Sequence, residues 1–138
     1  MNFKTIDIFV EKKKVAKVFR YVKTKHKGIK FFTPNSQNFQ VGLMCHKKNH
    51  LITPHIHKNH KKIIKDMTEM LIVFSGKLKV FFYGNKENIL KSTILRKKDM
   101  ILLISGAHGF KVLEKLEMLE IKQGPFTSNK DKIKFKAK

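Results

Sequence analysis

Short apolar runs separated by turn residues recur along this chain at intervals of about ten residues. The clearest pair flanks Gly76, where EMLIVFS precedes the glycine and KLKVFFY follows it. In the second run Leu78, Val80 and Phe82 alternate with other residues, and this two-residue period is typical of a half-buried strand. No long amphipathic helix is evident. The pattern therefore predicts many short strands rather than a helical or mixed domain.

The other runs support the same interpretation. We expect strands within residues 6–10, 15–23, 28–34, 39–46, 51–57, 69–75, 77–83, 92–96, 100–105, 109–115 and 117–123. Many short strands with evenly spaced turns predict an all-β antiparallel sandwich or jelly-roll barrel. Residues 10–19 have some helical spacing, but we interpret them as strand. The Lys-rich residues 129–138 predict an edge strand or a frayed end.

Length and cysteine content limit the organisation of the chain. A length of 138 residues predicts one domain over 1–138. The candidate metal site described below falls within about residues 41–126 of this domain. The only cysteine, Cys45, has no internal partner, so we expect a reducing compartment and a buried structural thiol. No apolar N-terminal segment resembles a signal peptide, and the apolar stretches are too short to cross a bilayer. We therefore expect a cytoplasmic protein without a membrane span.

The net charge of +21 raises the question of nucleic-acid binding. Of the 31 basic residues, only Arg20 and Arg96 are arginines, and arginine is the better residue for bidentate recognition of phosphates and guanine. The lysines are spread along the whole chain. The abundance of Lys, Ile, Phe and Asn, whose codons are AT-rich, indicates a compositional bias. A solvated lysine surface is therefore favoured over a specific nucleic-acid interface, with acidic substrates or weak membrane adhesion as alternatives.

A possible metal site comes from histidines and one glutamate. His55 and His57 are one residue apart, so their side chains would lie on the same face of a strand. If neighbouring strands bring Glu69 and His108 to them, the mixed nitrogen and oxygen ligands suit iron, manganese, nickel or zinc. Among seven histidines, however, an HxH pair also arises by chance, and a lone buried histidine usually packs or forms a hydrogen bond.

The order of these residues resembles the cupin superfamily. The HxH pair, followed by Glu69 with six residues between it and Gly76 in EMLIVFSG, resembles the first cupin motif, and RKKDMILLISGAHGF resembles the second. The resemblance implies a double-stranded β-helix, the jelly-roll barrel of cupins, with a metal held by His55, His57, Glu69 and His108. The eleven residues between His57 and Glu69 exceed the usual gap of the family, so an inserted loop over residues 58–68 precedes the glutamate.

A narrower resemblance covers nearly the whole chain. GIKFFTP, PHIH, TEML, HGF and MLEIKQGPF are similar to segments of small single-domain cupins of uncertain activity. Such proteins are commonly encoded among surface-polysaccharide and nucleotide-sugar genes. The resemblance implies a small sugar-like or acidic ligand and a homodimer, but it does not supply a reaction.

Three further residues are candidates for substrate binding. Glu120 and Lys122 would share a strand face and line the barrel mouth, or else form an exposed ion pair. His60, in the inserted loop, would act as a general acid or base, or else be a solvated loop residue.

These residues leave several functions open, and the sequence does not decide whether the protein is an enzyme. The first is a metal-dependent cupin that binds or converts a small polar metabolite such as a sugar derivative, which the metal polarises. The second is a metal-independent sugar epimerase or ketoisomerase that uses a histidine as general base. The third is a non-catalytic ligand-binding module.

Overall fold

The computed structural model describes residues 1–125 and 132–138. These residues contain eight strands and no helix: β1 (Asn2–Val10), β2 (Lys13–Val22), β3 (Gly28–Phe31), β4 (Gly42–Cys45), β5 (Glu69–Tyr83), β6 (Ile89–Arg96), β7 (Met100–Leu103) and β8 (His108–Lys122). All strand pairs are antiparallel, so the predicted all-β class is confirmed. No helix long and apolar enough to cross a bilayer occurs in these two stretches.

Strand β5 organises the main sheet. The strand order is β1-β2-β7-β5-β6, with β8 on the other edge of β5, while β3 and β4 form a separate two-stranded sheet. On one edge of β5, its first residues pair with β7 and its later residues pair with β6. The sheet is strongly curled and forms a half-barrel, as expected of a barrel-like β protein.

Alternation along the strands produces two apolar clusters, one on each face of the sheet. The larger cluster comprises buried residues from β1, β2, β5, β6 and β7 with their turns: Val10, Val15, Ala16, Val18, Leu71, Val73, Leu78, Val80, Phe82, Leu95, Ile101 and Leu103. On the opposite face Phe19, Met70 and Leu102 are buried beneath Phe3 and Phe32. Phe19 meets Phe32 edge-to-face, with ring centroids 5.6 Å apart, so the β3–β4 side of the molecule is fixed by aromatic packing.

The turn predicted at Gly76 is wrong. EMLIVFS and KLKVFFY form one continuous strand, β5, and the two runs predicted within 109–123 likewise form the single strand β8. Gly76 has φ +81°, and the β5–β8 register shifts on both sides of it. A glycine with positive φ occurs in bulges as well as in turns. Here Gly76 forms a bulge, because β5 continues to pair with β8 beyond it.

The strand predicted over 51–57 is also wrong. Residues 51–67 have no strand or helix and are exposed. Pro54 removes one backbone donor from this stretch, and the neighbouring residues have no strand partner. The described part of the C-terminal tail, residues 132–138, contains no strand either, although Phe135 packs edge-to-face on Tyr83 at 5.2 Å. Residues 129–131 of the predicted tail element lie outside the described residues.

Candidate functional site

Glu69 and His108 meet at one end of the half-barrel. Each opens a strand, β5 and β8 respectively, and Glu69 Oε2 lies 3.3 Å from His108 Nε2. Glu69 is only 5% exposed, and it follows the same alternation as the core residues Leu71 and Val73. The other imidazole nitrogen, Nδ1, lies 3.4 Å from the carbonyl oxygen of Gly106, so the ring is held from both sides.

This contact depends on the curl of the β5–β8 pair. In the ladder, Glu69 pairs with Lys122, whereas His108 pairs with Phe82, near the opposite end of β5. A straight strand from Glu69 to Phe82 would span roughly 43 Å at about 3.3 Å per residue. The two side chains nevertheless touch, so the strand pair bends back on itself. The irregular register around Gly76 lies near the middle of this bend.

The surroundings of Glu69 favour its ionised form. The hydrogen bond from His108 lowers the pKa of the Glu69 carboxyl, burial opposes this, and electrostatic interactions with His108, Lys132 and Lys122 lower the pKa further. The net result is a pKa below the ordinary value for glutamate. Lys132 Nζ lies 4.0 Å from Glu69 Oε1. Glu69 is therefore a buried anion with cationic neighbours.

A cavity of about 620 Å³ opens beside this pair. Its polar lining includes Glu69, His108, Ser105, Tyr83 and three lysines, Lys122, Lys132 and Lys134; Phe110 and Phe135 supply aromatic surface. Its volume falls within the usual range for small-molecule sites. A mixed acidic, basic and aromatic lining of this kind suits a polar ligand better than a hydrocarbon.

The structure does not bring the other two predicted metal ligands to this pair. His55 and His57 are exposed on the segment without strands, with their ring centroids 5.2 Å apart, and His55 Nδ1 lies 2.9 Å from the carbonyl oxygen of Thr53. Among residues 1–125 and 132–138, no three His, Cys, Asp or Glu side chains are grouped closely enough to hold a metal. In the described arrangement Glu69 and His108 therefore provide two of the four ligands that the resemblance implies.

The predicted substrate residues separate in the structure. Lys122 lines the cavity, but Glu120 is not among the described residues that do so. Lys122 Nζ and Glu120 Oε1 are 3.8 Å apart, which agrees with the alternative of a partly exposed ion pair. His60 lies elsewhere, at a shallow cavity with Phe31 and Asn38.

Sequence reasoning missed several residues that line the cavity. Tyr83 ends β5, while Lys132 and Phe135 belong to the tail. Within the tail, lysines alternate with Ile133 and Phe135 in KIKFK. In an extended segment this pattern places charged side chains on one side and apolar side chains on the other. Nothing local indicated that the tail would return to Tyr83.

Replacing Glu69 with glutamine is expected to change the acid stability of the fold. Because the folded-state pKa of Glu69 is lowered, its ionised form stabilises the fold above the unfolded-state pKa, and this contribution is lost as pH falls through the folded-state value. Glu69→Gln should therefore cost roughly 1–3 kcal/mol at pH 7 and much less near pH 3. Urea unfolding at both pH values measures the difference.

Glu117→Gln is the matched control for this experiment. Glu117 also lies in the β5–β8 ladder and accepts a hydrogen bond from Ser75 Oγ at 3.0 Å, but it is exposed. Its replacement should leave the difference in the free energy of unfolding between pH 7 and pH 3 unchanged. A Glu69→Gln variant whose deficit is the same at both pH values would contradict the assignment of Glu69 as the stabilising anion.

Comparisons with known proteins add no assignment: no protein-family model, curated protein or solved structure matches this chain.

Proposed function

We propose that the half-barrel cavity binds a small, negatively charged metabolite with hydroxyl groups, and that Glu69 and His108 form its polar centre. The observation that carries the proposal is the buried Glu69 carboxylate, 3.3 Å from an imidazole, in a cavity of about 620 Å³. A buried carboxylate contributes little to stability relative to apolar packing. Its position in a cavity is therefore better explained by a ligand than by folding alone.

The charges around the cavity favour an anion. Lys122, Lys132 and Lys134 line it, against the two carboxylates of Glu69 and Asp66. A carboxylate or phosphate group of the ligand would meet the lysines, and its hydroxyl groups would meet Glu69 and His108. Phe110 and Phe135 offer apolar surface for one face of a sugar ring. A sugar derivative with a carboxylate or phosphate group meets these requirements, and the cupin resemblance implies a small sugar-like or acidic ligand.

The same pair supports proton transfer. Imidazole exchanges protons readily near neutral pH, and a carboxylate beside it orients the ring and stabilises the imidazolium. His108 would remove a proton from a carbon next to a carbonyl group. In ketoisomerisation His108 would return the proton to the neighbouring carbon, and in epimerisation a proton from solvent would add to the opposite face of the same carbon. The corresponding reaction class is a metal-independent epimerisation or ketoisomerisation. A binding module would use the same residues without turnover.

Ligand titration tests the proposal. We expect sugar phosphates, sugar acids or nucleotide sugars to bind in calorimetry, and neutral sugars to bind more weakly because they carry no negative charge to interact with the lysines. His108→Ala and Lys132→Ala should each weaken binding about tenfold or more. His60→Ala is the matched control, since His60 lines a different cavity. Binding that is unaffected by His108→Ala would overturn the proposal. Deuterium incorporation from solvent, followed by NMR, separates an enzyme from a binding module.

Metal binding is the second candidate function. It is favoured by one observation: the segment that carries His55 and His57 leads directly to Asp66 and Met67, which line the cavity. Movement of that segment would be needed to add two imidazoles to Glu69 and His108. Metal analysis of the purified protein tests this candidate. This candidate requires that the wild type hold one iron, manganese, nickel or zinc ion per chain that is lost in a His55→Ala/His57→Ala variant.

We also propose a homodimer, as the cupin resemblance implies. Strand β8 pairs with no described strand other than β5, and several of its apolar side chains are exposed, among them Leu113, Leu119 and Ile121. A second copy would cover such a strand. Light scattering after size-exclusion chromatography should give twice the chain mass, and Leu119→Lys should reduce it to a single chain mass.

A further inference from the structure

We propose a second site, a thiophilic metal site formed by Cys45 with His26, His46 and His50. These four side chains line one cavity of about 290 Å³ near the end of the β3–β4 sheet. The residues that line it do not overlap with those of the Glu69–His108 cavity. One thiol and three imidazoles form a ligand set suited to Zn²⁺ or Cu⁺.

Local structure explains how the four residues come together. Gly28 pairs with Cys45 in the β3–β4 ladder, which brings the segment containing His26 beside the end of β4. After β4 the chain makes a tight turn in which His50 N donates to the carbonyl oxygen of Lys47 at 3.2 Å. Asn49 takes φ +64° in this turn, a conformation that asparagine tolerates. The turn places His50 next to His46.

The two imidazoles of that turn are already close. The rings of His46 and His50 are stacked, with centroids 4.1 Å apart and planes 5° from parallel. Two nitrogen ligands on one tetrahedral ion, each about 2.0–2.1 Å from it, lie roughly 3.4 Å apart. A modest rotation of the two side chains would therefore let both nitrogens reach one ion.

His26 supplies an independent observation. Its Nε2 atom is buried and has no hydrogen-bond partner among the described residues. A buried imidazole nitrogen without a partner is costly, and a metal ion would satisfy it. Cys45 is half-buried, so its thiol is partly shielded from solvent while remaining accessible from the cavity.

Binding would require side-chain rotation and loss of one proton. In the described residues no three of these groups converge at coordinating distance, so the ion would draw them inward. The Cys45 thiol would release its proton to solvent and bind as thiolate. Lys27 and Lys47 also line the cavity and repel a cation. The thiolate offsets part of that repulsion, which favours a thiophilic ion over Mg²⁺ or Ca²⁺.

Titration of the full chain with Zn²⁺, and with Co²⁺ as a spectroscopic substitute, tests the site. We expect one ion per chain, with a thiolate-to-Co²⁺ charge-transfer band that is absent in Cys45→Ser. Cys45→Ser and His46→Ala/His50→Ala should each weaken Zn²⁺ binding by about tenfold or more. His60→Ala is the matched control, because His60 is a histidine of the same part of the chain and lines a different cavity. Binding in this control should equal that of the wild type.

Several outcomes would contradict a metal site at Cys45. None of them depends on whether the Glu69–His108 cavity binds a metabolite. Zn²⁺ affinity lost in His55→Ala/His57→Ala but kept in the Cys45 variant would assign the metal to the other set of histidines. Binding of inorganic phosphate in place of Zn²⁺ would show that the lysines define the cavity. If a variant unfolds, Cys45 alkylation in the wild type decides, because Zn²⁺ should slow it at least tenfold and Mg²⁺ should not.

Discussion

Replacing Gly76 with alanine is expected to destabilise the protein by roughly 2–5 kcal/mol. Gly76 has φ +81°, and a Cβ atom there would lie 1.9 Å from the carbonyl oxygen of Lys115. That oxygen belongs to the backbone of the paired strand, so it cannot move aside as a flexible side chain would. The β5–β8 ladder would have to open at its bulge. Urea unfolding measures the loss directly.

Gly28→Ala is the control that separates backbone conformation from close contact. Gly28 has nearly the same φ, +78°, but a Cβ there has no atom within 4 Å. Its replacement should cost only about 1–2 kcal/mol, the ordinary penalty for an alanine in the left-handed backbone conformation. Equal costs at the two glycines would contradict the role given to the Lys115 contact.

The bend at Gly76 also links the fold to the candidate site. Because the curled β5–β8 pair brings Glu69 to His108, a disturbed bulge should separate the two side chains. In a Gly76→Ala background, Glu69→Gln should therefore lose much of its effect at neutral pH. A double-mutant cycle measures this coupling.

Replacing Asp99 with alanine is the second large expected effect, about 3–5 kcal/mol. Asp99 is 7% exposed and forms an ion pair with Arg20, whose guanidinium also donates to the carbonyl oxygen of Ile94 at 2.5 Å and to Thr93 Oγ1 at 2.9 Å. Asp99 Oδ2 also accepts the backbone N–H of Arg96 at 3.0 Å. Removal of the carboxylate leaves a partly buried guanidinium without its counter-charge and opens the turn before β7.

Glu114→Ala is the matched control for the ion pair. Glu114 pairs with Lys77 across the β5–β8 ladder, but its side chain is 55% exposed. An exposed pair typically contributes less than about 1 kcal/mol. Guanidinium chloride masks charge interactions, so thermal or urea unfolding should be used for both variants. A Glu114→Ala deficit as large as that of Asp99→Ala would show that burial does not set the difference.

Much of the strand pattern was predictable, because side-chain alternation is a local property. Leu78, Val80 and Phe82 alternate in the sequence and are buried together in the structure. The segment over residues 51–57 also alternates, yet forms no strand, since a strand needs a partner for its backbone hydrogen bonds. Alternation is therefore not sufficient for a strand.

The candidate site was predictable in part. Glu69 and His108 were proposed as members of one site from their motifs, and the structure brings these two together. The two other histidines of the predicted metal set, His55 and His57, remain on an exposed segment. The eleven residues that separate them from Glu69 already indicated an insertion, but no local pattern indicates where an inserted loop packs.

By itself the sequence determined where most of the strands lie and that Leu78, Val80 and Phe82 share a buried face, because the two-residue period of that run is a local property. Only the tertiary structure decided that Gly76 is a bulge rather than a turn, and that Glu69 contacts His108. The physical reason is that a glycine with positive φ suits either geometry, and pairing with β8 selects between them. A straight strand pair would hold Glu69 and His108 about 43 Å apart. Their contact therefore depends on the curl of the whole sheet.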